Sequence, residues 1–259
     1  MYRNRLIPCL LLRKSGLVIT HKFQSASYVG DPINAVKIFN EKGADELAIL
    51  DIDASRERRE PNYELFAKCA VEAFMPLSYG GGLISVQAVR RIFNLGAEKV
   101  IIGAAALDNP SLVSELSEEF GKQSIVVSVN INRSWFGGYY VYHPGKRKNT
   151  RLNPIHWAQE VQRLGAGEIL LNAVFLDGTM KGFDLTLLKT IAANTSVPII
   201  ACGSAGKLED FTNAAHINRI QGLAAGAFFV YQGPHRAVLI NYPDEITINS
   251  IFPEDINGI

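Results

Sequence analysis

Two stretches of the chain, GADELAILD (43–51) and GAGEILLNA (165–173), each combine a glycine turn with a short apolar run. Their first glycines stand 122 residues apart, and the same distance separates Pro76 from Pro198. Two units of this length account for 244 of the 259 residues. A single repeat whose period is half the chain indicates duplication and fusion of a half-domain, because a solenoid repeats many times at a shorter period.

Around these two stretches, apolar runs alternate with amphipathic segments. Eight runs are predicted strands: 6–12, 46–52, 75–78, 99–102, 124–129, 168–174, 197–202 and 220–225. Seven segments have helical periodicity: 31–42, 62–73, 86–95, 110–120, 154–164, 184–193 and 207–215. Strands that are apolar throughout are typical of parallel sheets covered on both faces. The pattern predicts an α/β protein, a (β/α)8 TIM barrel over residues 1–242 with a C-terminal tail over 243–259, and a doubly wound open sheet is the alternative.

The composition narrows the partners that we expect. Hydrophobic residues make up 47% of the chain, and 26 basic residues against 25 acidic ones leave a net charge of +1. This balance lacks the basic excess of nucleic-acid-binding proteins, and no apolar run is long enough to span a bilayer. The three cysteines and five histidines show no disulfide or metal-ligand spacing. We therefore expect a cytoplasmic protein with no nucleic-acid or membrane partner, no metal and no cofactor.

Turns rich in glycine and alanine follow several predicted strands, at the end of a barrel where active sites lie. Backbone N–H groups in such turns can approach an anion closely. For any single turn, the alternative is that glycine serves only a tight βα connection. Two pairs of turns related by the repeat favour two phosphate sites, and hence a phosphorylated small-molecule ligand. The candidate residues are Gly81, Gly82, Gly103, Ala104, Gly178, Gly203, Ser204, Ala225 and Gly226.

Four charged residues stand at the other ends of predicted strands, namely Arg5, Glu46, Lys99 and Glu168. Two bases and two acids at the bottom of a barrel can pair, and pairing is the main way in which charges tolerate burial. Ordinary surface charges at loop–strand junctions are the alternative. Because Glu46 and Glu168 are repeat mates, we favour a charged ring that acts as a gate or a docking surface.

The segment WFGGYYVY (135–142) follows the fifth predicted strand. Its alternation and the Gly137–Gly138 pair predict a β-hairpin. Two roles stay open for this hairpin: it acts as a lid, or it forms a surface that binds a partner.

Between residues 3 and 235 the chain contains, in this order, RLIPCL, GDPINA, GADELAILDIDAS, YGGG, GAEKV, GAGEILLNA, DGTMKGFDL and AGKLEDF. In order and spacing these segments resemble the cyclase-subunit family of imidazole glycerol phosphate synthase. The resemblance implies a (β/α)8 barrel with two phosphate sites, and ammonia supplied by a glutaminase (glutamine amidotransferase) subunit docked on the barrel bottom. It also implies that the four charged residues form the family's ammonia gate, and that Glu98 contributes to docking.

Two residues depart from that family where its catalytic aspartates stand. Leu11 follows IPCL in the first predicted strand, and Asn130 follows VVSV at the end of the fifth. Neither side chain can transfer a proton, and each lost acid–base group typically costs about 10²–10⁴ in rate. The resemblance therefore implies a chain impaired as a cyclase, with Asp51 and Asp177 as remaining acids beside Asn130 in the candidate catalytic set.

A paralogous branch associated with bacterial surface-polysaccharide genes shares IPCLLL, YVGDPINA, REPN and FVYQGPHRAVLINYP. Similarity to this branch implies that ammonia is used to form acetamidino groups on sugars, with an ATP-using sugar amidotransferase as a further partner. Two alternatives stay open. One is a working cyclase subunit of histidine biosynthesis, and the other is a non-catalytic ammonia conduit or scaffold.

Overall fold

The structure of the protein, a computed structural model, describes residues 4–252. The strands are β1 (Arg5–Arg13), β2 (Gly16–His21), β3 (Ser25–Gly30), β4 (Leu47–Asp51), β5 (Leu77–Gly80), β6 (Lys99–Ile102), β7 (Ile125–Arg133), β8 (Tyr139–His143), β9 (Lys148–Asn149), β10 (Glu168–Ala173), β11 (Ile199–Cys202), β12 (Ile220–Ala225), β13 (Tyr231–Gln232) and β14 (Ala237–Val238). The helices are α1 (Pro32–Glu41), α2 (Ala54–Glu57), α3 (Tyr63–Glu72), α4 (Val86–Asn94), α5 (Ala104–Asp108), α6 (Ser111–Phe120), α7 (Pro154–Arg163), α8 (Leu185–Ala193), α9 (Leu208–Ala215), α10 (Ala227–Val230) and α11 (Glu245–Ile251).

Eight of these strands form a closed parallel barrel in the order β1, β4, β5, β6, β7, β10, β11, β12. The circle closes where β12 pairs with β1, with Leu6 opposite Leu223. Helices connect successive strands on the outside. The predicted (β/α)8 barrel is confirmed, and the open doubly wound sheet is wrong because such a sheet would leave two unpaired edges.

The seven predicted helices are each present and one or two residues shorter than predicted. The difference arises because the predicted bounds included capping residues. Asp31, Asn62 and Asp184, for example, precede α1, α3 and α8, and each accepts a hydrogen bond from a backbone N–H of the first turn. In residues 4–252, no helix combines the length and the apolar character that crossing a bilayer requires.

The two repeat-related prolines set the starts of two strands. Met75–Ser78 and Val197–Cys202 were the predicted bounds, whereas β5 and β11 begin after Pro76 and Pro198. Proline has no N–H for the sheet, but its carbonyl still accepts. The Pro76 carbonyl accepts from the Leu47 N–H at 2.9 Å, and the Pro198 carbonyl accepts from the Ile169 N–H at 3.0 Å.

The apolar core has two parts. The larger part lies between the barrel and the surrounding helices. A smaller cluster fills the inside of the barrel and consists of Ile7, Cys9, Ala48, Ile101, Val126, Leu170, Ile200, Cys202 and Ala224. The barrel interior is therefore an apolar layer that separates the two ends of the strands.

Two antiparallel hairpins extend the barrel at the C-terminal ends of its strands, which we call the mouth. Strands β2 and β3 follow β1, while β8 pairs with the end of β7 and then with β9. The predicted hairpin over 135–142 is confirmed in type, although its turn is longer and spans residues 134–138. The β2–β3 hairpin escaped the sequence analysis because its turn residues, Lys22 and Phe23, are not the usual glycine or asparagine for their positive φ angles.

The segment predicted as a tail contains helix α11, which packs against α9 through its buried face, including Ile248 and Ile251. Just before it, the buried Tyr242 donates a hydrogen bond from its hydroxyl to the Leu6 carbonyl at 2.8 Å. The last part of the predicted tail, residues 253–259, lies outside the described residues.

Candidate functional site

The four charged residues singled out from the sequence meet at the N-terminal ends of the strands. One guanidinium nitrogen of Arg5 donates to Glu46 and the other to Glu168. The Lys99 Nζ lies 3.3 Å from Glu46 Oε2 and 3.0 Å from Glu168 Oε2. Each carboxylate therefore binds both cations, and we call this set of four side chains the charged ring.

The ring is partly shielded from solvent, with both carboxylates buried and both cations half-buried. Burial alone would lower the pKa of Arg5, but the attraction of Glu168 and Glu46 outweighs it and raises that pKa. The Ser78 hydroxyl donates to Glu46 Oε1 at 2.8 Å. Paired charges with further hydrogen bonds are the arrangement in which burial is tolerated, so the four side chains can form one layer across the barrel bottom.

Glu98 lies beside the ring but is not part of it. It immediately precedes β6 at the barrel bottom, its side chain is exposed, and its backbone N–H donates to the Leu77 carbonyl at 2.9 Å. Its carboxylate is thus open to a molecule that approaches the barrel bottom.

At the mouth lies a cavity of about 180 Å³. Leu11 and Asn130, which the sequence analysis matched to the family's two catalytic aspartates, both line it. Asn130 is buried and stands directly opposite Asn172 on the neighbouring strand β10. At these two positions a half-buried leucine and a buried amide therefore face the cavity.

Asn172 is a cavity residue that the sequence analysis missed. Among the described residues, its buried Oδ1 has no hydrogen-bond partner. Its position could have been predicted from the alternation of side chains along β10. Side chains two residues apart in a strand face the same way, and Asn172 lies four residues after Glu168, so both point into the barrel. It offers the cavity a second amide beside Asn130.

The two remaining candidate acids both line the cavity but differ in their partners. Asp51, at the end of β4, is bound through both oxygens by Arg59 at 2.7 Å. It also accepts the Ala54 N–H at 3.2 Å. A carboxylate held in this way serves as an anchor for the loop after β4.

Asp177, in the loop after β10, has the properties of a proton carrier. Burial raises its pKa to about 6, even though its Oδ2 accepts hydrogen bonds from the Thr20 hydroxyl at 2.6 Å and the Phe23 N–H at 3.4 Å. An acid that titrates near neutral pH can act as donor or acceptor there. Of the three candidate catalytic residues, Asp177 has the most suitable chemistry.

The first candidate phosphate cradle is formed by Gly81, Gly103 and Ala104, which line the cavity. Gly81 has a φ of +110°, and a Cβ at this position would stand 2.2 Å from the Asp51 carbonyl oxygen. Only glycine fits there. Gly82 is not a lining residue, because it packs behind the cavity against the backbone of residues 59–61.

The second candidate cradle lies on the side of β10, β11 and β12. Its predicted members all line the cavity, as do Ala205 and Ala227, which the sequence analysis did not include; the predicted members are Gly178, Gly203, Ser204, Ala225 and Gly226. The Ser204 hydroxyl donates to the Gly182 carbonyl and is already engaged. A ligand on this side would therefore meet mainly backbone groups.

Residues 5–235 match a protein-family model described as histidine biosynthesis protein. This chain belongs to the histidine biosynthesis protein family. The match spans every strand of the barrel, from Arg5 in β1 to the end of β12. Membership agrees with the fold and with the resemblance found in the sequence.

Several curated relatives in this family are similar over nearly their whole length. A Pseudomonas aeruginosa protein provisionally named imidazole glycerol phosphate synthase subunit hisF2 is 49% identical over 244 residues, which are 94% of this chain and 97% of that protein. A Vibrio vulnificus protein provisionally named subunit hisF3 is 46% identical and covers 94% of each chain. The imidazole glycerol phosphate synthase subunit HisF of Alkaliphilus metalliredigens is 38% identical over 89% of this chain and 92% of that protein.

We expect both cradles to bind inorganic phosphate or sulfate, because their backbone turns face one cavity. A crystal soaked in phosphate should show density near Gly81 and Gly103, and near Gly203 and Gly226. Gly81→Ala should abolish the first density alone, since the new methyl group meets the Asp51 carbonyl. Gly43→Ala is the matched control, because Gly43 also has a positive φ but faces open space. If neither site is occupied in wild-type crystals at millimolar phosphate, the cradle assignment is wrong.

We expect Asp177 to make stability depend on pH. Its native pKa of about 6 exceeds the unfolded value of about 3.9, so the native state binds the proton more tightly. This contribution is complete below pH ~4 and is lost as the pH rises through about 6, at a cost of roughly 2–3 kcal/mol. Urea unfolding of wild type and Asp177→Asn between pH 4 and 7 measures it. A stability difference that stays constant over this range would contradict the assignment.

Proposed function

We propose that this chain is the ammonia-accepting barrel subunit of a glutamine-dependent amidotransferase. The observation that carries the proposal is the charged ring at one end of an apolar barrel interior, with a cavity that contains Asp177 and Asn130 at the other end. Moving an ion through an apolar interior costs far more than moving a small neutral molecule. The layout therefore suits ammonia, which is neutral, and opposes ammonium.

The ring supports a role as a gate. Each acid in it binds both bases, so one cation can move while the other still compensates the buried carboxylates. A protein that docks on the barrel bottom would supply new partners for Arg5 or Lys99 and open the layer. We propose a glutaminase subunit in this place, with the exposed Glu98 in its interface, and a stable complex of this kind buries roughly 1,200–2,000 Å².

The residues at the mouth favour a reaction other than cyclisation of a substrate. Leu11 and Asn130 leave the cavity without the facing pair of carboxylates, while the glycine cradles that suit a phosphorylated ligand are present. Together with the resemblance to the polysaccharide-associated branch, this favours ammonia transfer for acetamidino-sugar formation in surface-polysaccharide biosynthesis. A separate ATP-using amidotransferase would activate the acetamide group of the sugar and use the ammonia that this chain supplies. A non-catalytic conduit is the limiting form of the same proposal, in which the mouth binds no substrate.

A second candidate function is a working imidazole glycerol phosphate synthase cyclase, and Asp177 is the observation in its favour. Its carboxyl group lines the cavity and has a pKa of about 6, so it could replace one lost acid–base group. It would still act alone, because Asp51 is held by Arg59. For this reason we rank cyclisation second.

We expect the purified chain to show no cyclase turnover when it is given the nucleotide substrate of the histidine pathway and ammonium salts. Loss of both aspartates should lower the rate by about 10⁴-fold or more relative to a family member that carries them. Free ammonia removes the need for a glutaminase, so the assay isolates the barrel. Leu11→Asp combined with Asn130→Asp should be required for recovery, and each single variant is the control. Ordinary turnover by the wild-type chain would instead support the second candidate.

We expect Lys99→Glu to uncouple ammonia delivery, because the ring would then contain three acids and one base. In a host strain that lacks its own copy of this gene, the variant should restore amidine groups on the surface polysaccharide only when ammonium is abundant. Mass spectrometry of the polysaccharide gives the readout. Lys189→Glu reverses an exposed charge on the outer helix α8 and is the matched control.

Two results would count against this assignment. If Lys99→Glu fails equally at low and high ammonium, the ring has only a structural role. If a glutaminase from the same genome does not bind the chain at micromolar concentration, the docking proposal is wrong.

A further inference from the structure

The segment that contains the end of β7 together with β8 and β9 is unusually basic. Residues 131–152 contain Arg133, Lys146, Arg147, Lys148 and Arg151 and no aspartate or glutamate, in a chain whose net charge is +1. Lys146 pairs with Asp108, which lies outside the segment. The other four cations form no ion pair among the described residues, so the hairpin presents a basic surface.

The turn at the end of this hairpin presents two large aromatic side chains to solvent. Trp135 is 98% exposed and Phe136 is 97% exposed. The turn is ordered by backbone hydrogen bonds, since the Ser134 N–H donates to the Gly138 carbonyl at 2.8 Å and the Gly137 N–H to the Ser134 carbonyl at 3.0 Å. The strands thus hold the aromatic pair, which we call the tip, away from the rest of the protein.

Two of the unpaired cations lie close to the tip. Arg133 is two residues before Trp135 at the end of β7. The Thr150 N–H donates to the Val141 carbonyl and the Val141 N–H donates to the Leu152 carbonyl, so the chain after β9 runs back along β8 and Arg151 lies level with Val141. At about 3.3 Å per residue, Arg133 stands within about 10 Å of the tip along the hairpin and Arg151 within about 17 Å.

We propose that the tip docks on an anionic membrane surface. Aromatic side chains favour the boundary between headgroups and acyl chains, and nearby basic residues are attracted to anionic lipids. With Trp135 and Phe136 at that boundary, Arg133 lies at the level of the headgroups, and Arg151 lies just outside them, within the range of the anionic surface potential.

The size of the tip favours a membrane over a protein partner. Two aromatic side chains of about 150–250 Å² each offer well under the roughly 800 Å² per partner that a stable protein interface needs. The tip is also convex, whereas a bilayer can deform around it. The proposal departs from the sequence-based expectation of no membrane partner, which rested on the lack of an apolar run long enough to span a bilayer and took no account of peripheral docking.

The direction of β7 sets the orientation of the protein on the membrane. This strand runs from the barrel bottom to the mouth and continues to the tip, so the bilayer would lie on the mouth side. The charged ring faces away and stays accessible. The inference therefore stands independently of the proposed function, and Lys99→Glu should leave membrane binding unchanged.

Sedimentation of the full chain with lipid vesicles tests the proposal. We expect binding to vesicles of phosphatidylcholine mixed with phosphatidylglycerol, much weaker binding to phosphatidylcholine alone, and a decrease with added salt. Tryptophan fluorescence gives a second readout, because Trp135 is exposed while Trp157 is only 6% exposed. Insertion of the tip should shift the emission to the blue.

Substitutions separate the tip from other exposed surfaces. The double variant Trp135→Ser with Phe136→Ser should weaken binding by about tenfold or more, because the apolar area is lost. Arg133→Gln and Arg151→Gln should each weaken it by about fivefold. Phe74→Ser is the matched control, since Phe74 is 85% exposed but lies before β5 at the barrel bottom.

Three outcomes would overturn the proposal. They are no binding to either vesicle type, equal loss of binding with Phe74→Ser, and binding that the tip variant leaves unchanged. If the chain does not bind vesicles but binds a purified protein through Trp135, the tip is a protein interface and the membrane assignment is wrong.

Discussion

Pairing of the last barrel strand with the first is the constraint on which the other features depend. Hydrogen bonds between β12 and β1 close the sheet, so alternate side chains of all eight strands point into one interior. Closure places Arg5, Glu46, Lys99 and Glu168 around one axis, although up to 163 residues separate two of them. It also brings the loops after β1, β4, β7 and β10 to one cavity. Without closure, neither the charged ring nor the mouth would exist.

The two ends of the barrel are chemically separate because the layer between them is apolar. Ile7, Ile101 and Leu170 belong to the buried cluster inside the barrel, and they carry no group that could transmit a proton or a charge. A substitution at the mouth therefore removes none of the hydrogen bonds or ion pairs of the ring. The residues at the two ends of the barrel can for this reason change independently. The reaction at the mouth can change without loss of the bottom layer.

Much of the fold and the ring could be predicted from sequence, because both follow from periodicity. The repeat of 122 residues relates Glu46 to Glu168, and strand ends in a parallel barrel share one edge, so these side chains had to lie near each other. The cradle turns were predictable for the same reason. Gly82 was the exception, since adjacent glycines in a turn face different directions and the sequence does not say which one faces the cavity.

Contacts between distant loops were beyond the sequence analysis. Arg59 binds Asp51 because the loop after β4 folds back on the strand end, and Thr20 reaches Asp177 because the β2–β3 hairpin leans over the mouth. No periodicity encodes either contact. The difference between Asp51, which Arg59 holds, and the buried Asp177, whose pKa is raised to about 6, therefore required coordinates, since it depends on partners and burial that two identical residue types do not reveal.

The pairing of β12 with β1 also has a consequence for the synthesis of the protein on the ribosome. Leu6 pairs with Leu223, so one edge of β1 has no partner until most of the chain has been made. At 5–20 residues per second, that edge waits on the order of ten seconds or more. An unpaired strand edge is a template for wrong pairing with other chains. Codon changes that slow translation of the second half of the gene should therefore lower the yield of native protein more than such changes in the first half. Chaperones that bind the nascent chain during this period should have a correspondingly large effect.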